Sequence, residues 1–176
     1  MNGFYFDLGL DPNFRLADSA DALTPQTTMM RLLNYKKRYK IAGELDAKII
    51  SADASADGFA IGASVLRDCY GKINYFFASS DFPAFDNTAK LLKAYRKDIR
   101  IISVSVGDAQ TESVSSYADT FIHVPSIDAS SAADEILDLE QLSVAPVSGG
   151  VLRAAADEAQ KNNDRHARYV VLLIRQ

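Results

Sequence analysis

KINYFFASSDFPAFDNTAKLLKAYRKDIRIISVSV, residues 72–106, decides the fold. Its first eight residues, KINYFFAS, form an apolar run of strand length, continuous enough to lie in the interior of a sheet. PAFDNTAKLLKAYRKD (83–98) follows, with Pro83 near its start and Phe85, Ala89, Leu92 and Tyr95 at helical spacing. IRIISVSV (99–106) is β-branched at most positions and predicts a second strand. A strand, a helix and a strand in that order imply parallel pairing, because parallel neighbours need a crossover connection.

The same alternation extends in both directions. Upstream, GFYFDL (3–8) predicts a first strand, followed by a polar loop through Ala22. LTPQTTMMRLLNYKKRYK (23–40) predicts a helix, with Thr24 as cap and Pro25 at its first turn. AKIIS (47–51) is a short strand, and ADGFAIGASVLRDCYG (56–71) reads as a helix weakened by Gly58 and Gly62 and stopped at Gly71. Downstream, TESVSSYAD (111–119) predicts a short helix, TFIHVPS (120–126) a strand and ASSAADEILDLEQL (129–142) a helix. The Pro and Gly of VAPVSGG (144–150) mark a linker. A helix to about Lys161 and a polar break then lead to YVVLLI, which fits either a sixth strand of the same sheet or a separate element. The expected architecture is α/β, a three-layer Rossmann-like parallel sheet with helices on both faces. The expected organisation is a domain over 1–142, a linker at 143–150, and a segment 151–176 that either completes the domain or is appended to it.

Composition narrows the function classes. The chain of 176 residues has a net charge of −4, which excludes a surface basic throughout and leaves room only for a local basic stripe. A single cysteine, Cys69, excludes a disulfide framework and any multi-thiolate zinc site. The start MNGFYFDLGL lacks a basic n-region, and no apolar run reaches the length a membrane helix needs, so the expected location is cytoplasmic and away from membranes.

In a parallel sheet the ligand site lies beyond the strand carboxyl ends. That rule selects Asp7, the Ser79–Asp81 loop and Gly107-Asp108, with Asp57 approaching from the start of a helix. Converging carboxylates need a compensating cation, and hard oxygen ligands suit Mg²⁺ or Mn²⁺, which can activate water and neutralise a phosphodiester. Asp57 and Asp81 also suit helix caps, a bland role that spacing alone does not separate from ligation. His123, His166 and Cys69 read as packing or surface residues.

SADGFAIGASVL, the run INYFFASSDFPAF and the ending YADTFIHV together resemble the NYN domain, the LabA-like branch of the PIN-like nucleases. The resemblance covers residues 3 to 127 and implies a PIN-like fold with catalytic and metal-binding roles for Asp7, Asp57 and Asp81. It departs from the family where Ser79 replaces the first acid of the strand-end motif and Ala63 a second helix acid, and where Leu8-Gly9-Leu10 follows Asp7. It therefore implies either a weak metal-dependent endoribonuclease or a degenerate module that binds RNA, a protein partner or a second copy without cutting. Lys36, Lys37, Arg38 and Lys40 are the candidate RNA-binding residues, continued by Lys90, Lys93, Arg96, Lys97 and Arg100, with Tyr35, Tyr39 and Tyr95 available for base stacking. The stretch 100–124 is also similar to a von Willebrand A domain, and 78–125 to a phosphosugar isomerase loop and strand, although neither signature motif is present.

Overall fold

The computed structural model describes residues 27–51, 57–107 and 115–176. The described chain runs β1 (Thr27–Arg31), α1 (Leu33–Arg38), β2 (Glu44–Ser51), α2 (Gly58–Asp68), β3 (Tyr75–Ser79) and α3 (Phe85–Tyr95). It continues through β4 (Arg100–Val106), β5 (Thr120–Val124), α4 (Ser126–Glu140), α5 (Pro146–Gln160) and β6 (Arg168–Arg175). One six-stranded sheet has the order β1-β2-β6-β3-β4-β5, parallel throughout except for the antiparallel β1–β2 pair. The expected α/β sheet with helices on both faces is therefore present in its general form.

Strand alternation builds two cores. Tyr169, Val171 and Leu173 of β6 face one cluster with Leu45, Ala47, Phe77 and Ile102. Val170 and Leu172 face the other, with Phe76, Ala78 and Ile101. α4 and α5 cover the first face and α2 and α3 the second, which is why RYVVLLIR is apolar on both sides rather than alternating.

Two expectations are corrected. The predicted helix over 23–40 is, within the described residues, an edge strand followed by a six-residue helix. Met30 packs on the first core and Met29 on the second, a period of two that pairing with β2 imposes over helix propensity. Arg31 fixes the register, its Nε 3.2 Å from Asp46 Oδ1. The predicted helix over 111–119 is a turn in its described part, closed by Ala118 N–H donating to Ser115 O.

Residues 144–150, expected as a linker, hold a bridge between Val144 and Arg175 and the first turn of α5. Pro146 occupies a position where a missing N–H costs nothing. Gly149 permits contact between helices, since a Cβ there would lie 2.2 Å from the carbonyl oxygen of Ala129 on α4. Gly149→Ala is expected to lower stability by about 1–3 kcal/mol through forced separation of α4 and α5, read from the urea midpoint. An unchanged midpoint would show that the two helices are not so close.

Candidate functional site

The carboxyl ends of β2, β3, β4 and β6 lie along one edge of the sheet, and β3 delivers the FFASSDFPAF loop to it. The loop is tied down at several points. Ser80 N–H donates to Val104 O at 2.8 Å, and Asp81 N–H donates to the Ser79 hydroxyl at 3.2 Å. Phe82 and Phe85 sink into the second core, which turns Asp81 outward. The result is a cleft of about 270 Å³ between this loop, β4 and the turn at Ser115.

Hydroxyls and carboxylates line the cleft: Ser80, Ser103 and Ser115 with Asp81 and Asp86. Asp86, in the first turn of α3, accepts a hydrogen bond from the Ser115 hydroxyl, and Ser115 Oγ accepts in turn from Tyr117 N–H at 3.2 Å. Ser103 sits in mid-strand on the face of Ile101 and is buried. Ser103, Ser115 and Asp86 were not singled out by the sequence; only the period-two phase of IRIISVSV places Ser103 on the face that α3 covers.

The predicted acids do not assemble into one described cluster. Asp7 lies outside the described residues. Asp57 is the N-cap of α2, its Oδ1 accepting from Phe59 and Ala60 N–H at 3.1 Å each, and it does not line the cleft. Only Asp81 lines it. Among the described residues, no group of three or more His, Cys, Asp or Glu side chains is placed to hold a metal.

Lys36 pairs with Glu44 at 3.3 Å, while Lys37, Arg38 and Lys40 are exposed around the end of α1. Tyr35 is fully buried in the first core, and Tyr39 donates its hydroxyl to Glu135. Burial, with Tyr39 and Glu135 beside it, pushes the Tyr35 hydroxyl well above its ordinary range. Cys69 is buried, its thiol donating to Val65 O and pushed up to about 12 by that burial, far from nucleophilic. His123 Nδ1 lies 3.3 Å from the Ser105 hydroxyl, and His166 is exposed.

The one buried lysine among the described residues, Lys48, lies 2.7 Å from Asp68 Oδ2 and donates to the Ser64 hydroxyl, both on α2. Burial lowers its proton affinity, and Asp68 opposes the shift. Asp68 ends α2, so this pair reaches away from the carboxyl edge and does not line the cleft.

No protein-family model matches the chain, and no curated protein matches its sequence. Solved structures do match its fold. The hydrogen sulfide-producing enzyme Fn1220 of Fusobacterium nucleatum superposes with a TM-score of 0.61 at 21% identity, over 66% of this chain and 48% of that one. O-acetyl serine sulfhydrylase isoform 3 of Entamoeba histolytica gives 0.59 at 14% identity, over 66% and 42%. Cystathionine β-synthase of Bacillus anthracis gives 0.55 at 24% identity, over 64% and 39%. The chain thus spans less than half the length of these enzymes.

These neighbours overturn the NYN and PIN-like resemblance, and with it the ribonuclease and RNA-binding readings. The von Willebrand A and phosphosugar isomerase alternatives gain no support either. The expected Mg²⁺ or Mn²⁺ is corrected too, since neighbours of this type are pyridoxal-phosphate-dependent. The misreading has a physical source. In this chain the aromatics of SSDFPAF anchor a β-α turn while Asp81 stays outside, a structural role that the motif shares with the acid loop of the nucleases, so SSDFPAF does not distinguish the two folds. No helix among the described residues is long and apolar enough to cross a membrane.

As a cap, Asp57 acts chiefly through the two hydrogen bonds that its Oδ1 accepts, which an amide oxygen can also accept. Asp57→Ala is expected to cost about 1 kcal/mol of stability and Asp57→Asn almost nothing, measured by urea denaturation. An equal loss in both variants would show that the charge itself is required.

Proposed function

We propose that this chain is a ligand-binding domain with the sheet of the sulfur amino-acid enzymes, and that it holds a small amino acid in the cleft at the carboxyl edge. The observation that carries the reading is that cleft. Its position follows the rule for open α/β sheets, and its lining suits a zwitterion. Asp81 is exposed and has no ion-pair partner among the described residues, so it can receive an ammonium group. The hydroxyls of Ser80 and Ser103 can donate to a carboxylate. O-acetylserine, which one of the structural neighbours is named for, is a molecule of this class.

Pyridoxal phosphate does not fit the described residues. That cofactor needs a lysine amine at the reacting end and donors for a phosphate. Lys48 is held by Asp68 and Ser64 away from the cleft. Among the described residues no Lys or Arg lines the cleft, and the sequence that follows β2, β3 and β4, residues 52–57, 80–84 and 107–115, contains none. A second reading follows from the coverage: the chain supplies one part of a composite enzyme, and another domain or subunit brings the cofactor lysine.

Calorimetric titration with O-acetylserine, serine and cysteine tests the binding. Saturable binding of at least one is expected, and Asp81→Asn should weaken it about ten- to a hundredfold through loss of a charge-assisted hydrogen bond worth about 1.5–3 kcal/mol. Binding unchanged in Asp81→Asn, or absent for all three, would sink the reading. Borohydride treatment with pyridoxal phosphate should leave no adduct on Lys48; an adduct there would contradict the cofactor argument.

A further inference from the structure

Charge is divided between the two edges of the sheet. The segments that follow β2, β3 and β4 in the sequence carry acids and no Lys or Arg, with Arg175 at the end of β6 as the basic residue of that edge, whereas the segments entering β3, β4 and β6 at the opposite edge bring Lys72, Arg96, Lys97, Lys161, Arg165 and His166 together with Asp98 and Asp164. Some of these converge on a second cleft, of about 480 Å³, within the size range of small-molecule sites.

Four cations line this cleft, Lys72, Arg96, Arg165 and Arg168, against a single acid, Glu44. Glu44 is already engaged, 3.3 Å from Lys36 and 3.6 Å from Arg31. Arg96 is fixed in place. Its guanidinium donates to the carbonyls of Gly71 and Ile73 and pairs with Asp98 at 2.6 Å, so it holds a constant orientation without side-chain entropy left to lose on binding. Arg168 lies 3.8 Å from the buried Asp46. Lys72 and Arg165 have no carboxylate within ion-pair distance among the described residues, so two positive charges face the cleft uncompensated.

Asn74 adds a neutral donor. Its Oδ1 accepts from Arg168 N–H at 2.8 Å, and its main chain bonds to Arg168 O and Arg100 N–H, which locks the side chain at the cleft wall and leaves its Nδ2 to donate. A fixed guanidinium and a fixed amide, with the exposed Lys72 ammonium and Arg165 guanidinium beside them, set donors around one concavity that match the acceptors of a tetrahedral oxyanion. Crowded like charges also repel, so an anion bound there would relieve the repulsion.

We propose that the amino-terminal edge of the sheet binds the phosphate or sulfate group of a small molecule between Lys72, Arg96 and Arg165. The site lies on the opposite edge from the amino-acid cleft and does not depend on it.

Thermal unfolding of the full chain, followed while titrating pyrophosphate, phosphate or sulfate at ionic strength held constant with sodium chloride, tests the proposal. A saturable rise in the midpoint with at least one of the three is expected, and which oxyanion saturates first identifies the group preferred. The exposed double variant Lys72→Gln/Arg165→Gln should require at least tenfold more anion for the same rise, and without anion its midpoint should equal or exceed that of the parent. Because neither side chain is part of a core, a folded variant is expected, checked by its circular dichroism. An identical response in the variant, or a response to chloride alone equal to that with the oxyanions, would overturn the site.

Discussion

Backbone hydrogen bonds from β6 to β2 on one side and to β3 on the other join residues 27–51 to residues 75–124 in one sheet. No other described strand pairing connects those halves. The last segment of the chain is therefore its structural centre. Its eight residues contribute Tyr169, Val171 and Leu173 to one core and Val170 and Leu172 to the other. Burying five large apolar side chains, each worth about 1.5–3 kcal/mol relative to exposure, makes β6 the largest single commitment of apolar surface in the sheet. α5 brings the chain back to that slot and approaches α4 closely at Gly149.

Both candidate sites follow from this arrangement. With β2, β6, β3, β4 and β5 parallel, all their carboxyl ends share one edge and all their amino ends the other. Loops at the first edge leave strands and enter helices or turns, and they carry acids and hydroxyls. Loops at the second edge carry Lys72, Arg96, Lys97, Lys161 and Arg165, with Asp98 and Asp164 among them. A ligand's charge then selects its edge: an ammonium group is favoured beside Asp81 and an oxyanion beside Arg96 and Arg165.

Much of the strand and helix order was legible in the sequence. Residues 75–106 alternate as their apolar pattern predicts, and the helices at 58–68 and 126–140 fall close to their expected spans. Elsewhere local signals competed with tertiary ones. Thr27–Arg31 has a cap-like Thr-Pro before it and helical composition after it, yet edge pairing with β2 decides its conformation. YVVLLI is apolar at every position, so periodicity could not separate a buried strand from a buried helix. VAPVSGG reads as a linker because Pro and Gly usually punctuate; here they start a helix and let it touch another. At the site, Asp81 was legible from its position at a strand end. Ser103 and Ser115 were not, since one lies within a strand and the other comes from a turn distant in sequence. The charge division between edges was available from the sequence once strand directions were known, and not before.

Amide chemical-shift mapping during titration with O-acetylserine tests the account most directly. The account predicts shifts confined to Ser80–Asp86, Ser103 and Ser115, with Lys72, Asn74 and Arg165 silent. Shifts centred on the amino-terminal edge or on α1, or no shifts at saturating ligand, would contradict it.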